Sequence, residues 1–155
     1  TLAMAKPPEM PNTAPTEIKE GNLSEGKQID LLWAQSSNVT CFPGTFATSF
    51  NGNHVFYRFS QPPSQDFYFR LTPPSDVDVS MYVLQNPKPA GQLPPNVEVA
   101  WRCHKAYYDN PGQPEQLHVQ GYKNTYDVVV AVVGAKAATE GAYKLEIWDM
   151  PGRQW

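Results

Sequence analysis

The sequence predicts an all-β domain: an antiparallel β-sandwich, jelly-roll-like, of eight or nine short strands. Three observations lead there. Apolar and polar residues alternate over short runs that recur about every ten residues. Proline doublets, Pro62-Pro63, Pro73-Pro74 and Pro94-Pro95, fall between those runs, where proline cannot enter a ladder. No segment carries apolar residues at helical spacing with caps at its ends.

Along the chain, residues 1–26 are polar and punctuated by Pro7, Pro8, Pro11, Pro15, Gly21 and Gly26. This composition reads as a disordered or extended tail or linker, leaving 27–155 as a single sandwich domain. The first clear strand, 54–59, puts Val55, Tyr57 and Phe59 on one face. The second, 66–71, does the same with Phe67, Phe69 and Leu71. Over 76–83, Val77, Val79, Met81 and Val83 point one way, while Asp76, Asp78, Ser80 and Tyr82 point the other. A breaker-rich loop over 86–95 precedes an expected strand at 97–101, and further strands follow at 116–120, 125–133 and 142–148. The run Val128-Val129-Val130-Ala131-Val132-Val133 lacks alternation, which indicates a strand buried on both faces.

Composition narrows the function. The 155 residues include sixteen prolines, about twice the usual share, yet 41% are hydrophobic and 12% aromatic, too many for a wholly disordered chain. A net charge of −3 argues against a non-specific nucleic-acid binder. No apolar run approaches the roughly 20 residues that a membrane-spanning helix needs. Thr1-Leu2-Ala3-Met4-Ala5 has no signal-peptide core, as in a mature or excised chain.

Cys41 and Cys103 are the only cysteines. A bridge between them would close a long loop and stabilise the fold by about 4 kcal/mol, against the alternative of two buried thiols. The bridge is the favoured reading, and it implies an oxidising compartment: periplasm, cell surface or medium.

Catalytic signatures are missing. The chain has no Gly-x-Ser-x-Gly elbow, His-Glu-x-x-His, P-loop, Rossmann glycine pattern or Cys-x-x-Cys-His. A copper site of cupredoxin type fails on spacing. His54, Cys103 and His118 occur in the right order, but fourteen residues separate the last two and no Met follows closely. Each histidine is expected to be partly exposed and solvated. No enzyme and no obligatory cofactor are therefore expected.

From Asn53 to Asp149 the order of features resembles the bacterial pre-peptidase C-terminal (PPC) domain. An aromatic-x-Phe strand (Val55-Phe56-Tyr57-Arg58-Phe59) is followed by a second apolar strand, Phe67-Tyr68-Phe69-Arg70-Leu71. An Asp-x-Asp strand comes next, Asp76-Val77-Asp78-Val79. Tyr126-Asp127-Val128-Val129-Val130 and Gly141-Ala142-Tyr143-Lys144-Leu145-Glu146-Ile147 match the family's closing pair of strands. The long loop 86–95 and the Cys41/Cys103 pair depart from the family pattern. The resemblance implies a sandwich appended to secreted bacterial enzymes with a non-catalytic accessory role; some relatives bind calcium, and collagen-binding relatives use surface aromatics.

Two sets of residues are candidates for that role. Tyr107 and Tyr108 in a loop, with Trp101 before them and Tyr122 after the next strand, would form an aromatic contact platform. Asp76 and Asp78, about 7 Å apart along one strand face, and Asp109 offer hard oxygen ligands suited to Ca²⁺. Solvated carboxylates are the favoured reading of that acidic set. Asp127, inside an apolar strand, would need Lys105, Lys123 or Arg102 as a partner if buried. The expected function is an exported, non-catalytic module recognising a protein or polysaccharide surface or assisting secretion of a partner enzyme. The alternative is a structural subunit or assembly factor of a cell-envelope complex that docks by strand-edge pairing. A carbohydrate-binding module is a third option.

Overall fold

The alternating runs form two antiparallel sheets, and the core lies between them. A computed structural model of the chain describes residues 9–36, 48–73, 76–107 and 113–155. The strands are β1 (Glu17–Asn22), β2 (Lys27–Gln28), β3 (Asn53–Gln61), β4 (Gln65–Thr72), β5 (Val79–Gln85), β6 (Arg102–Ala106), β7 (Glu115–Val119), β8 (Tyr126–Gly134) and β9 (Ala142–Pro151). One sheet has the order β1-β9-β4-β7 and the other β2-β3-β8-β5-β6. Most successive strands cross from one sheet to the other, which is what makes the pair a sandwich.

The inner faces are those that the alternation assigns. Val55, Tyr57 and Phe59 of β3 meet Phe67, Phe69 and Leu71 of β4, with Val79, Met81 and Val83 of β5 and Leu145 and Ile147 of β9 completing the layer. The run 128–133 lies in β8, central in its sheet between β3 and β5, and every residue in it is buried. Its second face has its own cover. Ala131 and Val133 join Tyr82 and Leu84 of β5 beneath Trp33, Ala34, Phe50, Val97 and Ala100. The five-stranded sheet is thus apolar on both sides, as the missing alternation requires.

That outer cover accounts for several departures from the expected elements. Residues 97–101 form no strand; only a bridge between Lys88 and Val99 occurs there, and pairing to β5 starts at Arg102. Val97 and Ala100 are apolar because they pack from a loop onto the sheet. A short helix, α1 (Leu32–Ser36), begins where the Asp30 Oδ1 accepts the Leu32 N–H at 2.8 Å, and it delivers Trp33 and Ala34 to the same layer. Ser80 and Tyr82, expected on a solvated face, are buried under this layer.

The expected tail also enters the sandwich. β1 pairs with β9 from Glu17 opposite Ile147 to Asn22 opposite Ala142. Leu23, in a 3₁₀ turn after β1, is buried in the main core. Asn53 holds this corner by donating its Nδ2 hydrogens to the carbonyls of Leu23 (3.0 Å) and Thr139 (3.1 Å). Further upstream, Trp148 donates its Nε1–H to the Thr13 carbonyl at 2.8 Å, so the segment before β1 lies across the outer face of the four-stranded sheet. Charged residues at Glu17, Lys19 and Glu20 concealed β1 from a search for apolar alternation.

Candidate binding site

One end of the sandwich gathers three loops that are distant in sequence. Trp101 sits just before β6, its N–H bonded to the Gln85 carbonyl at 2.8 Å. The turn after β7 is pinned by Gly121, whose N–H donates to Asp66 Oδ1 at 2.8 Å, and by the Tyr122 carbonyl, which accepts from Ser64 N–H at 2.8 Å. Gly121 is required there, since a Cβ would lie 2.0 Å from the Gln65 carbonyl oxygen. After β9, Gly152 N–H bonds to the Ser64 carbonyl at 2.8 Å, and Trp155 Nε1–H donates to the Gly121 carbonyl at 3.0 Å. The turn at Pro62-Pro63-Ser64 joins the second and third of these loops through Ser64, while the first reaches them through the rings of Trp101 and Tyr122.

These loops bring four aromatic rings together. Trp101 stacks on Tyr126 with centroids 4.8 Å apart and planes at 10°, and it meets Tyr122 edge-on at 4.8 Å. Tyr122 in turn contacts Trp155 at 5.2 Å. Tyr126 is the buried floor, while Trp101 and Trp155 stay 45% and 49% exposed. Two guanidinium groups lie on the rings: Arg102 is 4.8 Å from Trp101 and 5.2 Å from Tyr122, and Arg153 is 4.3 Å from Trp155. Flat exposed rings beside cationic forks can stack on a ligand and donate hydrogen bonds to its acceptor groups at once.

Of the expected platform, Trp101 and Tyr122 come together. Tyr107 does not join them. It faces the outer layer of the five-stranded sheet, 5.9 Å from Phe50 and with the Lys105 ammonium 5.4 Å from its ring. Tyr108 lies outside the described residues. Sequence reasoning missed Tyr126, Trp155, Arg102 and Arg153. Two aromatics four residues apart across a turn, Tyr122 and Tyr126, were the available signal.

The other candidates are separated from this end. Asp76 is exposed in a turn, and Asp78 precedes β5 with its carbonyl accepting from Ala135 N–H at 3.1 Å, so the two do not share the face of a strand. Asp109 and Cys41 lie outside the described residues; Cys103 lies on β6 opposite Leu84. Among the described residues no cluster of three or more His, Cys, Asp or Glu side chains could hold a metal ion. Among them, too, no helix is long and apolar enough to cross a membrane. Asp127 takes its partner from the adjacent strand, Arg58 at 3.1 Å, rather than from Lys105, Lys123 or Arg102.

The histidines are more constrained than the expectation of solvated rings. His54 is buried, and its Nδ1–H donates to the Gly52 carbonyl at 3.2 Å. Burial lowers its pKa to about 4. His104 donates Nε2–H to Gln85 Oε1 at 3.0 Å, joining a buried amide network with Gln61. Its pKa also falls to about 4, through burial and then the nearby Arg102 charge. His118 stacks on Tyr68 at 4.3 Å and donates Nε2–H to Asp66 Oδ2 at 2.6 Å. His118 borders a cavity of about 610 Å³ that is lined, among the described residues, by Glu9, Met10, Pro11, Asn12, Tyr68, Met150 and Pro151. No protein-family model matches the chain, and no curated protein matches it.

Proposed function

We propose that the chain is an exported, non-catalytic binding module of PPC type, and that the Trp101–Tyr122–Trp155 end is its contact surface. One observation carries this reading: among the described aromatics only Trp101 and Trp155 are exposed, and both converge on Tyr122. Their backbones are held by hydrogen bonds to β5 and to the Ser64 turn, so the rings are pre-positioned and binding orders little more. Such a surface recognises a protein or polysaccharide by stacking, without bond-making. A Cys41–Cys103 bridge belongs to the same reading, since it suits export to an oxidising compartment. Calcium binding by Asp76, Asp78 and Asp109 is not part of this reading.

Retention on immobilised collagen, chitin, cellulose, peptidoglycan and polygalacturonate tests the proposal. The chain is expected to be held by one of them, and Trp101→Ala with Trp155→Ala to abolish that retention. Retention by none, or retention indifferent to both changes, would overturn it.

A further inference from the structure

The chain contains four arginines. Two are ion-paired. Arg58 holds Asp127, and Arg70 makes a two-pronged bond to Glu146 at 2.9 and 3.1 Å. The other two, Arg102 and Arg153, have no carboxylate and no hydrogen-bond acceptor among the described residues, and both lie on the rings of the candidate surface. Shortage of acid does not explain this, since Asp and Glu number 15 against 12 Lys and Arg.

A guanidinium resting on an aromatic ring uses its flat face, which leaves its in-plane N–H fork open. That fork matches a carboxylate or a sulfate. Beside it, two half-exposed indoles offer flat apolar faces. We propose that this surface binds an anionic polysaccharide, the rings stacking on sugar faces while Arg102 and Arg153 receive carboxylate or sulfate groups. The inference rests on the binding-module reading and names its ligand class. An acidic peptide would satisfy the arginines but bring no flat faces to the indoles. A single-stranded nucleic acid would bring flat bases, but it requires a cationic track along its backbone, whereas this chain carries a net charge of −3.

Affinity electrophoresis of the full chain through gels containing polygalacturonate, dextran sulfate, neutral dextran, polyglutamate or oligo(dT) tests it. Retardation by polygalacturonate or dextran sulfate is expected, the pair separating carboxylate from sulfate as the recognised group. Arg102→Gln with Arg153→Gln should weaken it at least tenfold, as should Trp101→Ala, while Lys19→Gln with Lys27→Gln, on β1 and β2, removes equal charge without effect. Arg153→Gln alone, at an exposed position, gives the same reading if the double variant unfolds. Equal retardation by neutral dextran, independent of the arginines, overturns the anionic class and leaves the binding module standing. Equal retardation by polyglutamate or oligo(dT) overturns the polysaccharide class. Retardation by neither anionic polysaccharide overturns the inference outright.

Discussion

Two aromatic clusters are built from the same residue types and meet opposite fates. Trp33, Phe50 and Tyr82 pack on the outer face of the five-stranded sheet, with ring centroids 5.9 to 6.0 Å apart, and all three are buried. Trp101, Tyr122, Tyr126 and Trp155 pack at one end of the sandwich, with Trp101 4.8 Å from both tyrosines and Tyr122 5.2 Å from Trp155, closer still, yet two of the four stay half exposed. The difference lies in what covers them. The first cluster is roofed by α1 and by Val97 and Ala100; the second, among the described residues, has two guanidiniums on it without a carboxylate partner and no apolar roof. Aromatic content alone therefore does not separate core from contact surface. The partners of the rings do.

Truncation should widen that difference most. Phe50→Ala opens a cavity in the covered cluster and is expected to lower unfolding stability by about 3–5 kcal/mol. Trp101→Ala, half in water already, should lower it by about 1–2 kcal/mol. Denaturant titration of the two variants checks this, and equal losses would mean that both clusters serve as core.

The second effect is acid sensitivity. His54 packs against Tyr82 in the covered cluster, and His104 lies in the amide network next to Arg102. Both fold neutral, with pKa values near 4 against an ordinary 6.5. Between those values the unfolded chain binds protons that the fold refuses, so stability is complete above about pH 6.5 and falls as pH drops toward 4. Each ring contributes up to about 3 kcal/mol of that loss. Melting curves from pH 7 to 4 should show the decline, with a shallower slope in His104→Gln.

A smaller effect belongs to the proline-rich loop between the clusters. Arg58 donates to the carbonyls of Gly91 (3.3 Å) and Gln92 (3.1 Å) as well as to Asp127. Arg58→Ala should cost about 1 kcal/mol, because the pair is partly exposed, while speeding proteolysis within residues 86–101. The smallest expected effect is that of Ca²⁺. With Asp76 and Asp78 both outside any strand, the melting temperature should not move between Ca²⁺ and EDTA, and a rise of several degrees with Ca²⁺ would refute that.

Much of the fold was legible because burial imposes a period on a strand. Val55, Phe67 and Met81 announced their inner faces, and the unbroken valines of 128–133 announced a second cover without saying what it was. That cover consists of Trp33, Phe50, Val97 and Ala100, which carry no period because they pack from a short helix and loops. β1 was hidden because an edge strand buries little, and the charges of Glu17 and Lys19 resemble a tail. The site was half legible for a similar reason. Trp101 and Tyr122 flank turns, but their meeting with Trp155 depends on loops joined through Ser64, which local sequence does not reveal.

The four tryptophans supply the most direct test of the binding surface, because Trp101 and Trp155 are half exposed on it while Trp33 and Trp148 are buried elsewhere. In a titration of the ¹⁵N-labelled chain with oligogalacturonate, the indole N–H signals of Trp101 and Trp155 should shift together, while those of Trp33 and Trp148 stay fixed. Shifts confined to Trp33 or Trp148, or no indole shift while the protein is retained on the polymer, would contradict the account.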